Sequence, residues 1–441
     1  MFQIISNCWA LLFGMGLIML GNGLQGSLLG VRASMEGFGL STTGLIMSGY
    51  FIGLILGSAL VPKMVGRVGH IRSFGALASL ASTSILVHVI FIDPWAWWGM
   101  RLVTGFSYAG IYVVAESWLN DASENETRGQ LLSFYMLISL GGLAGGQFLL
   151  NIAPPSGFIL FALISVLVSL AVIPILTSVS KMPDYETTES VSISQLFLVS
   201  QLGVAGMLIS SISIGSIFGI GAVYAASIGL SVREISFFMG AIILGGAIMQ
   251  FPLGRMSDLL GRRRVIIGTS AAGAVVAVFA SQYEAGTWQF YVIITLVGAL
   301  SMPLYSLCAA HTNDYLNPSQ MVAASGTLVL VSGIGATMGP PITTFAMEQF
   351  GAQAFYYTIT ASLALVAVFG LWRSTRREAV AQEDQGEFVV MAPTPTSAGF
   401  NPDVDLVEIE AATEIDADEV QASFEELVDE LKASDEEGKE S

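Results

Sequence analysis

Charge is what this 441-residue chain has least of: 12% of its residues are Asp, Glu, Lys or Arg, where a soluble domain carries about 25%. Hydrophobic residues make up 53% and mean hydropathy is +0.70. Apolar segments near 20 residues recur along most of the length, enough to cross a hydrocarbon core of about 30 Å as helices. Cysteine is nearly absent. Cys8 and Cys308 both fall inside apolar segments, which argues against a disulfide framework and for small packed side chains. Three histidines lie on three separate segments without ligand spacing, so neither a metal nor a cofactor is expected. No Gly-Lys-Ser/Thr phosphate loop and no nucleophile constellation is present, which argues against direct use of ATP and against a membrane enzyme. No basic surface suggests nucleic acid. Residues 1–10 hold no Lys or Arg and no cleavage signal, so the start reads as the first span, not as a removable leader.

The formal charge of −17 belongs to one region. From Glu378 to Ser441 there are 20 acidic and 2 basic residues, against 14 and 15 in everything before. The expected fold class is an all-α membrane protein of twelve spans. They lie near 3–29, 41–62, 73–92, 95–119, 129–152, 156–178, 195–224, 232–254, 265–283, 287–311, 321–346 and 352–372. The polar stretch 180–194 reads as a linker between six-helix bundles at 1–179 and 195–373. The acidic tail, 374–441, is expected to be largely disordered. Within it Val420, Phe424, Leu427, Val428 and Leu431 fall at helical spacing after Asp416 and Asp418, the pattern of a capped amphipathic helix. Two readings of it stay open, a solvating tail with a nascent helix and a helix that docks on a partner.

Lys and Arg placement sets the orientation. One side would hold Lys63, Arg67, Arg72, Arg128, Lys181, Arg255, Arg262, Arg263, Arg264, Arg373, Arg376 and Arg377; the other side only Arg32 and Arg233. Both termini are therefore expected in the cytoplasm, in a cell (inner or plasma) membrane. Gly49, Gly53 and Gly57 repeat at four-residue spacing, as do Gly215/Gly219 and Gly335/Gly339. Small residues so spaced let helix backbones approach closely within lipid.

Two short basic turns carry the most specific signal. The second reads Gly254, Asp258, Gly261, Arg262, Arg263, and the first retains Arg67, Gly69 and Arg72 about 190 residues earlier. Arg101-Leu-Val-Thr-Gly105 opens the fourth span, and Gly335-x-x-x-Gly339-Pro340 lies in the eleventh, with a proline-less echo at Gly141, Gly142, Gly145 and Gly146 in the fifth. In order and spacing these resemble the motifs of the major facilitator superfamily across residues 1–372. The first turn departs from the pattern, with Gly66 where the family has Asp and Pro62 where it has Gly. The strings Glu116-Ser-Trp-Leu-Asn-Asp121 and His311-Thr-Asn-Asp314 resemble an uncharacterised bacterial branch of that superfamily.

The resemblance implies two six-helix bundles related by pseudo-symmetry, with spans 1, 4, 7 and 10 lining a central cavity. Arg101 shares a helix face with Gly105, Tyr108, Tyr112 and, at its edge, Glu116, so this stripe would face the cavity. Asn22 and Gln25, Ser213, Ser216 and Tyr224, and Tyr305 and Ser306 are the other cavity candidates. Interhelical hydrogen bonding is the alternative for any one of them. Glu116, His311 and Asp314 are the proton-coupling candidates, although helix capping would also explain them. Arg67, Gly69, Arg128, Gly254, Asp258, Gly261, Arg262 and Arg263 form a candidate conformational latch, with Asp258 expected beside Arg128. The implied activity is secondary transport of a small-molecule solute by alternating access, with possible proton coupling, by a monomer in the lipid bilayer. A sensor or scaffold acting through the acidic tail is the alternative.

Overall fold

The computed structural model describes residues 2–122, 125–177, 191–377, 380–382, 385–386, 388–390 and 422–429, without side chains at 2–7, 121, 125–128, 318 and 319. It is helical, with no strand among the described residues. The first bundle comprises α1 (Phe2–Met35), α2 (Leu40–Val68), α3 (His70–Ile90), α4 (Pro94–Asp121), α5 (Asn125–Leu149) and α6 (Ile159–Thr177). A short α7 (Ile193–Val199) leads into α8 (Gln201–Ser227), α9 (Val232–Leu260), α10 (Arg262–Ala280), α11 (Trp288–Ser301), α12 (Leu304–Asn313), α13 (Pro318–Phe350) and α14 (Ala354–Ser374).

Eleven of these segments are long and apolar enough to cross a membrane, with α11 and α12 counted together as Trp288–Asn313. The twelfth span is α4. It has the length, 28 residues, but it carries Arg101, Tyr108, Tyr112 and Glu116, and that polar stripe lowers its apolarity. Its start is fixed locally: Asp93 accepts hydrogen bonds from the backbone N–H groups of Trp95 and Ala96, each at 3.0 Å, and Pro94 occupies the first helical position. Capping boxes set the starts of α9 (Ser231 with Glu234) and α13 (Asn317 with Gln320).

The tenth span, expected as one helix over 287–311, is broken at Met302 and Pro303. Proline has no N–H to give and crowds the preceding turn, so the chain restarts as α12. Pro340 and Pro341 stay inside α13 instead, where the Thr344 hydroxyl donates to the Pro340 carbonyl at 2.9 Å.

The duplication is visible in the packing. In the first bundle α1 lies on α5 and α6, α2 on α4, and α3 on α6; in the second α8 lies on α13 and α14, α9 on α11, and α10 on α14. Each bundle also turns between its second and third spans through a single glycine at positive φ, Gly69 at 84° and Gly261 at 87°. A side chain would be strained there. The residue after each glycine reaches the end of the same neighbour. His70 bonds the Ser117 hydroxyl at 3.0 Å, and Arg262 bonds the Asp314 carboxylate at 2.8 Å. We call this the hinge end of the molecule and the opposite one the far end.

Backbone contact at glycine holds the helix pairs. A Cβ at Gly53 would fall on the Leu102 carbonyl oxygen, and one at Gly105 on that of Tyr50. The second bundle repeats this at Gly245 against Thr295 and Gly298 against Ile242. Between bundles, α1 meets α8, α2 meets α13 and α5 meets α9. Several of these contacts lie at the far end: Glu348 accepts from the Ser41 N–H at 2.8 Å and hydroxyl at 2.6 Å, and Asn151 donates to Ser236 at 2.9 Å. Phe148 meets Phe237 edge-on there.

Gly53→Val is expected to destabilise the fold by about 1–3 kcal/mol through overpacking against α4. Gly99→Ala, with no heavy atom within 4 Å of the added methyl, should leave the melting temperature in detergent unchanged or raised. Equal melting of the two variants would refute backbone contact as the basis of the α2–α4 pair.

Candidate functional site

Midway along the molecule a cavity of about 290 Å³ separates the bundles. It takes residues from both, on α1, α2, α4 and α5 from one and α8, α9, α13 and the α11–α12 break from the other. Asn22 organises one wall. Its amide donates to the Tyr112 hydroxyl at 2.8 Å and to the Tyr50 hydroxyl at 3.2 Å, tying α1 to α4 and α2. The Arg101 guanidinium lies over the Tyr50 ring, 4.4 Å from its centroid. Arg101 is only 3% exposed and its Nε has no hydrogen-bond partner.

Glu116 lies further along α4, fully buried, and accepts from the Tyr135 hydroxyl of α5 at 3.3 Å. Across the cavity Gln250 of α9 donates to Ser306 of α12 at 2.9 Å. Tyr305 and Ser306 both line the space, just past the break at Met302 and Pro303.

Among the expected cavity residues, the structure places Asn22, Arg101, Tyr112, Glu116, Tyr305 and Ser306 on the lining. The others lie elsewhere. Tyr108 is buried behind the wall, its ring 6.3 Å from that of Tyr50 and 6.2 Å from that of Tyr112. Gln25 is buried off the lining. On α8, Ser213 hydrogen-bonds Ser362 and Ser216 accepts from Thr343 at 2.7 Å. Tyr224 stacks on Phe355 with centroids 4.6 Å apart. The face of α8 that meets the cavity bears Ser211, Ile214 and Phe218 instead. Small and apolar residues surround α8 on every side, so sequence periodicity gave no sign of which face turns inward.

Tyr50, Gln250 and Gln147 are lining residues that the four-helix scheme left out, since they sit on α2, α9 and α5. Gln147 donates to the Gly23 carbonyl at 2.8 Å and accepts from Ser27 at 2.5 Å. An amide within an apolar span was the available signal for Gln147 and Gln250.

His311 and Asp314 do not reach the cavity. They belong to a charged cluster at the hinge end. The Arg262 Nε–H lies 2.9 Å from one Asp314 oxygen and 2.8 Å from the other, and Asp258 is 3.5 Å from Arg262. Arg263 donates to the Arg377 carbonyl at 2.6 Å; Arg377 in turn lies 4.6 Å over the Tyr315 ring, which meets His311 edge-on. Arg67 is exposed on the matching turn of the first bundle. Asp258 therefore faces Arg262, while the side chain of its expected partner Arg128 lies outside the described residues.

Part of the tail is ordered against this cluster. Gln382 donates to the carbonyls of Asp258 and Leu259, each at 2.8 Å, Arg262 donates to the Gly386 carbonyl, and the Phe388 ring covers Gly254. Residues 422–429 form a helix whose Phe424 and Val428 are buried in the core, and Gln320 donates to Ser423 at 2.7 Å. Val420 and Leu431 lie outside the described residues.

Burial pushes the Asp314 carboxyl up to about 6 from its ordinary 3.8, against the opposing pull of Arg262. A folded value above the unfolded one means tighter proton binding in the folded state. The resulting stabilisation is present at pH 4 and lost as pH rises through 6, worth up to about 3 kcal/mol. Asp314→Asn should therefore remove a component of the pH-dependent melting temperature between pH 4 and 6. Superimposable pH profiles of variant and wild type would refute it.

The family model for the Major Facilitator Superfamily matches residues 11–202 and 203–410. An uncharacterised MFS-type transporter, YcaD of Escherichia fergusonii, is 27% identical over 371 residues, covering 83% of this chain and 95% of the relative. One from Yersinia enterocolitica is 26% identical over 332 residues, covering 75% and 86%. The fold is similar to the crystal structure of the nucleoside transporter NupG, with a TM-score of 0.69 at 13% identity, covering 83% of this chain and 100% of that one. It is similar also to an inward-facing, occupied bacterial homologue of the lysosomal transporter Spinster. There the TM-score is 0.68 at 12% identity, with coverage of 86% and 97%.

Proposed function

The chain belongs to the Major Facilitator Superfamily, a family of non-enzymatic membrane transporters of small solutes, and from that premise we propose an alternating-access cycle coupled to protons. The observation that carries the reading is the cavity between the bundles, walled by both and lined by a buried cation and a buried carboxylate. Rocking of the bundles about this site would expose it to each side in turn. A single chain completes the cavity, which supports a monomer as the working unit.

The short turns at the hinge end hold most of the Lys and Arg residues, which supports that end, and both termini, lying in the cytoplasm of a cell with an inner or plasma membrane. Contacts such as Ser41–Glu348 and Asn151–Ser236 close the far end, which supports an inward-facing state. Return to the outward state requires those contacts to part and the hinge ends to approach.

Glu116 is the residue to which we assign the coupling proton. It alone among Glu116, His311 and Asp314 lines the cavity. Proteoliposome flux of a bound solute, followed with and without an imposed pH gradient, tests this. Wild type should concentrate the solute along the gradient, and Glu116→Gln should retain exchange while losing gradient-driven accumulation. Undiminished accumulation by Glu116→Gln would sink the assignment.

The docked tail favours a second reading, a transporter body that signals through its acidic C-terminus. Deletion after Arg377 separates the two. Retained flux, expected to be more than half of wild type, belongs to a transporter whose tail is accessory.

A further inference from the structure

Resting on that transport reading, we infer that the solute is a small organic anion: one anionic head seated at Arg101 on a largely apolar body. Arg101 is a guanidinium at the eighth residue of the 28-residue α4, 3% exposed and on the cavity lining. No carboxylate lies within ion-pair distance of it among the described residues, and its Nε has no hydrogen-bond partner. A cation held in a membrane span without a counter-ion is costly, and such residues mark substrate or ion pathways. The Tyr50 ring, 4.4 Å from the guanidinium carbon, supports one face of the group and leaves its planar edge for a ligand. A guanidinium edge matches the two oxygens of a carboxylate, sulfonate or phosphate.

The surroundings point to the same charge class. Asn22 donates to both the Tyr50 and Tyr112 hydroxyls, which donate onward to the Asn22 carbonyl oxygen at 3.4 Å and to the Met19 sulfur at 3.8 Å, so the wall beside Arg101 is polar and adds no negative charge. The carboxylate on the lining, Glu116, is 15 residues further along the same helix, about 22 Å away at 1.5 Å per residue. That distance leaves Arg101 unneutralised, and no small zwitterion could reach both groups at once. An amine would meet the cation first at the Arg101 end. Phe51, Leu54, Leu140, Leu143 and Phe218 supply apolar wall, suited to a hydrocarbon or aromatic body. The cavity, about 290 Å³, lies at the small end of ligand sites, which limits the body to one or two rings.

The test is binding to the full chain in phosphatidylcholine nanodiscs, whose zwitterionic lipid supplies no net anion. Thermal shift and titration calorimetry would compare benzoate, benzamide and benzylamine, the corresponding 1-naphthyl trio, and uridine as a neutral polar solute. Stabilisation is expected from carboxylates alone. Affinity for the better carboxylate should fall about thirtyfold or more in Arg101→Gln, as expected when one partner of a buried charge pair is removed. If Arg101→Gln does not fold, Arg101→Lys decides the matter. It should keep the preference for carboxylate with affinity lowered about fivefold or more, because an ammonium lacks the planar fork.

No carboxylate binding, equal binding of amide or amine, or unchanged carboxylate affinity in the folded variants would overturn the inference. Flux of uridine without carboxylate binding would overturn it while leaving the transport reading intact. Carboxylate binding that depends on Arg101 but gives no flux in proteoliposomes would support the anion seat and instead count against transport.

Discussion

Helices in lipid gain nothing from burying apolar surface against one another, because the acyl chains are as apolar as the side chains. What remains is close contact, and this protein obtains it by bringing backbone onto backbone. Gly53 and Gly105 let α2 and α4 touch at their carbonyl oxygens, and Gly245 and Gly298 do the same for α9 and α11. Each bundle is assembled from such pairs. Because the α2–α4 contact falls at Tyr50, it also sets where the Tyr50 ring stands and hence where Arg101 can lie. The site inherits its geometry from a packing constraint a few ångströms away.

A second constraint acts on the polar groups. An amide or charge in a span must find a partner or line water. Asn22 and Gln147 find partners across helix seams, and Arg262 finds Asp314 at the hinge end. Arg101 lines the cavity with its Nε unsatisfied and, among the described residues, no carboxylate beside it. The contrast between two buried arginines, one paired with a carboxylate and one not, separates a structural role from a ligand seat more sharply than burial does.

The hinge end combines features that sequence spacing does not bring together. The Gly-Arg turn of the second bundle lies beneath residues 120 or more positions later: Gln382 bonds its carbonyls and Phe388 covers Gly254. Composition predicts a largely disordered tail with one amphipathic stretch. That stretch is helical over 422–429, with Phe424 buried. Acidic composition describes the average of the tail, while the buried Phe424 and Val428 and the Gln320–Ser423 bond tie its helix to the body.

The chain's amino acids alone determined the class, the number of spans, the duplication and the stripe on α4. These follow from hydropathy over about 20 residues, from Lys and Arg placement, and from a 3.6-residue period, all of them local or additive properties. Only tertiary structure decided which stripe members reach the cavity and which face of α8 turns inward. It also paired Asp314 with Arg262 and opened the tenth span at Pro303. Those outcomes depend on helix rotation and on partners more than fifty positions apart, and a helix with small or apolar residues on every side leaves no periodic trace of the direction it will face.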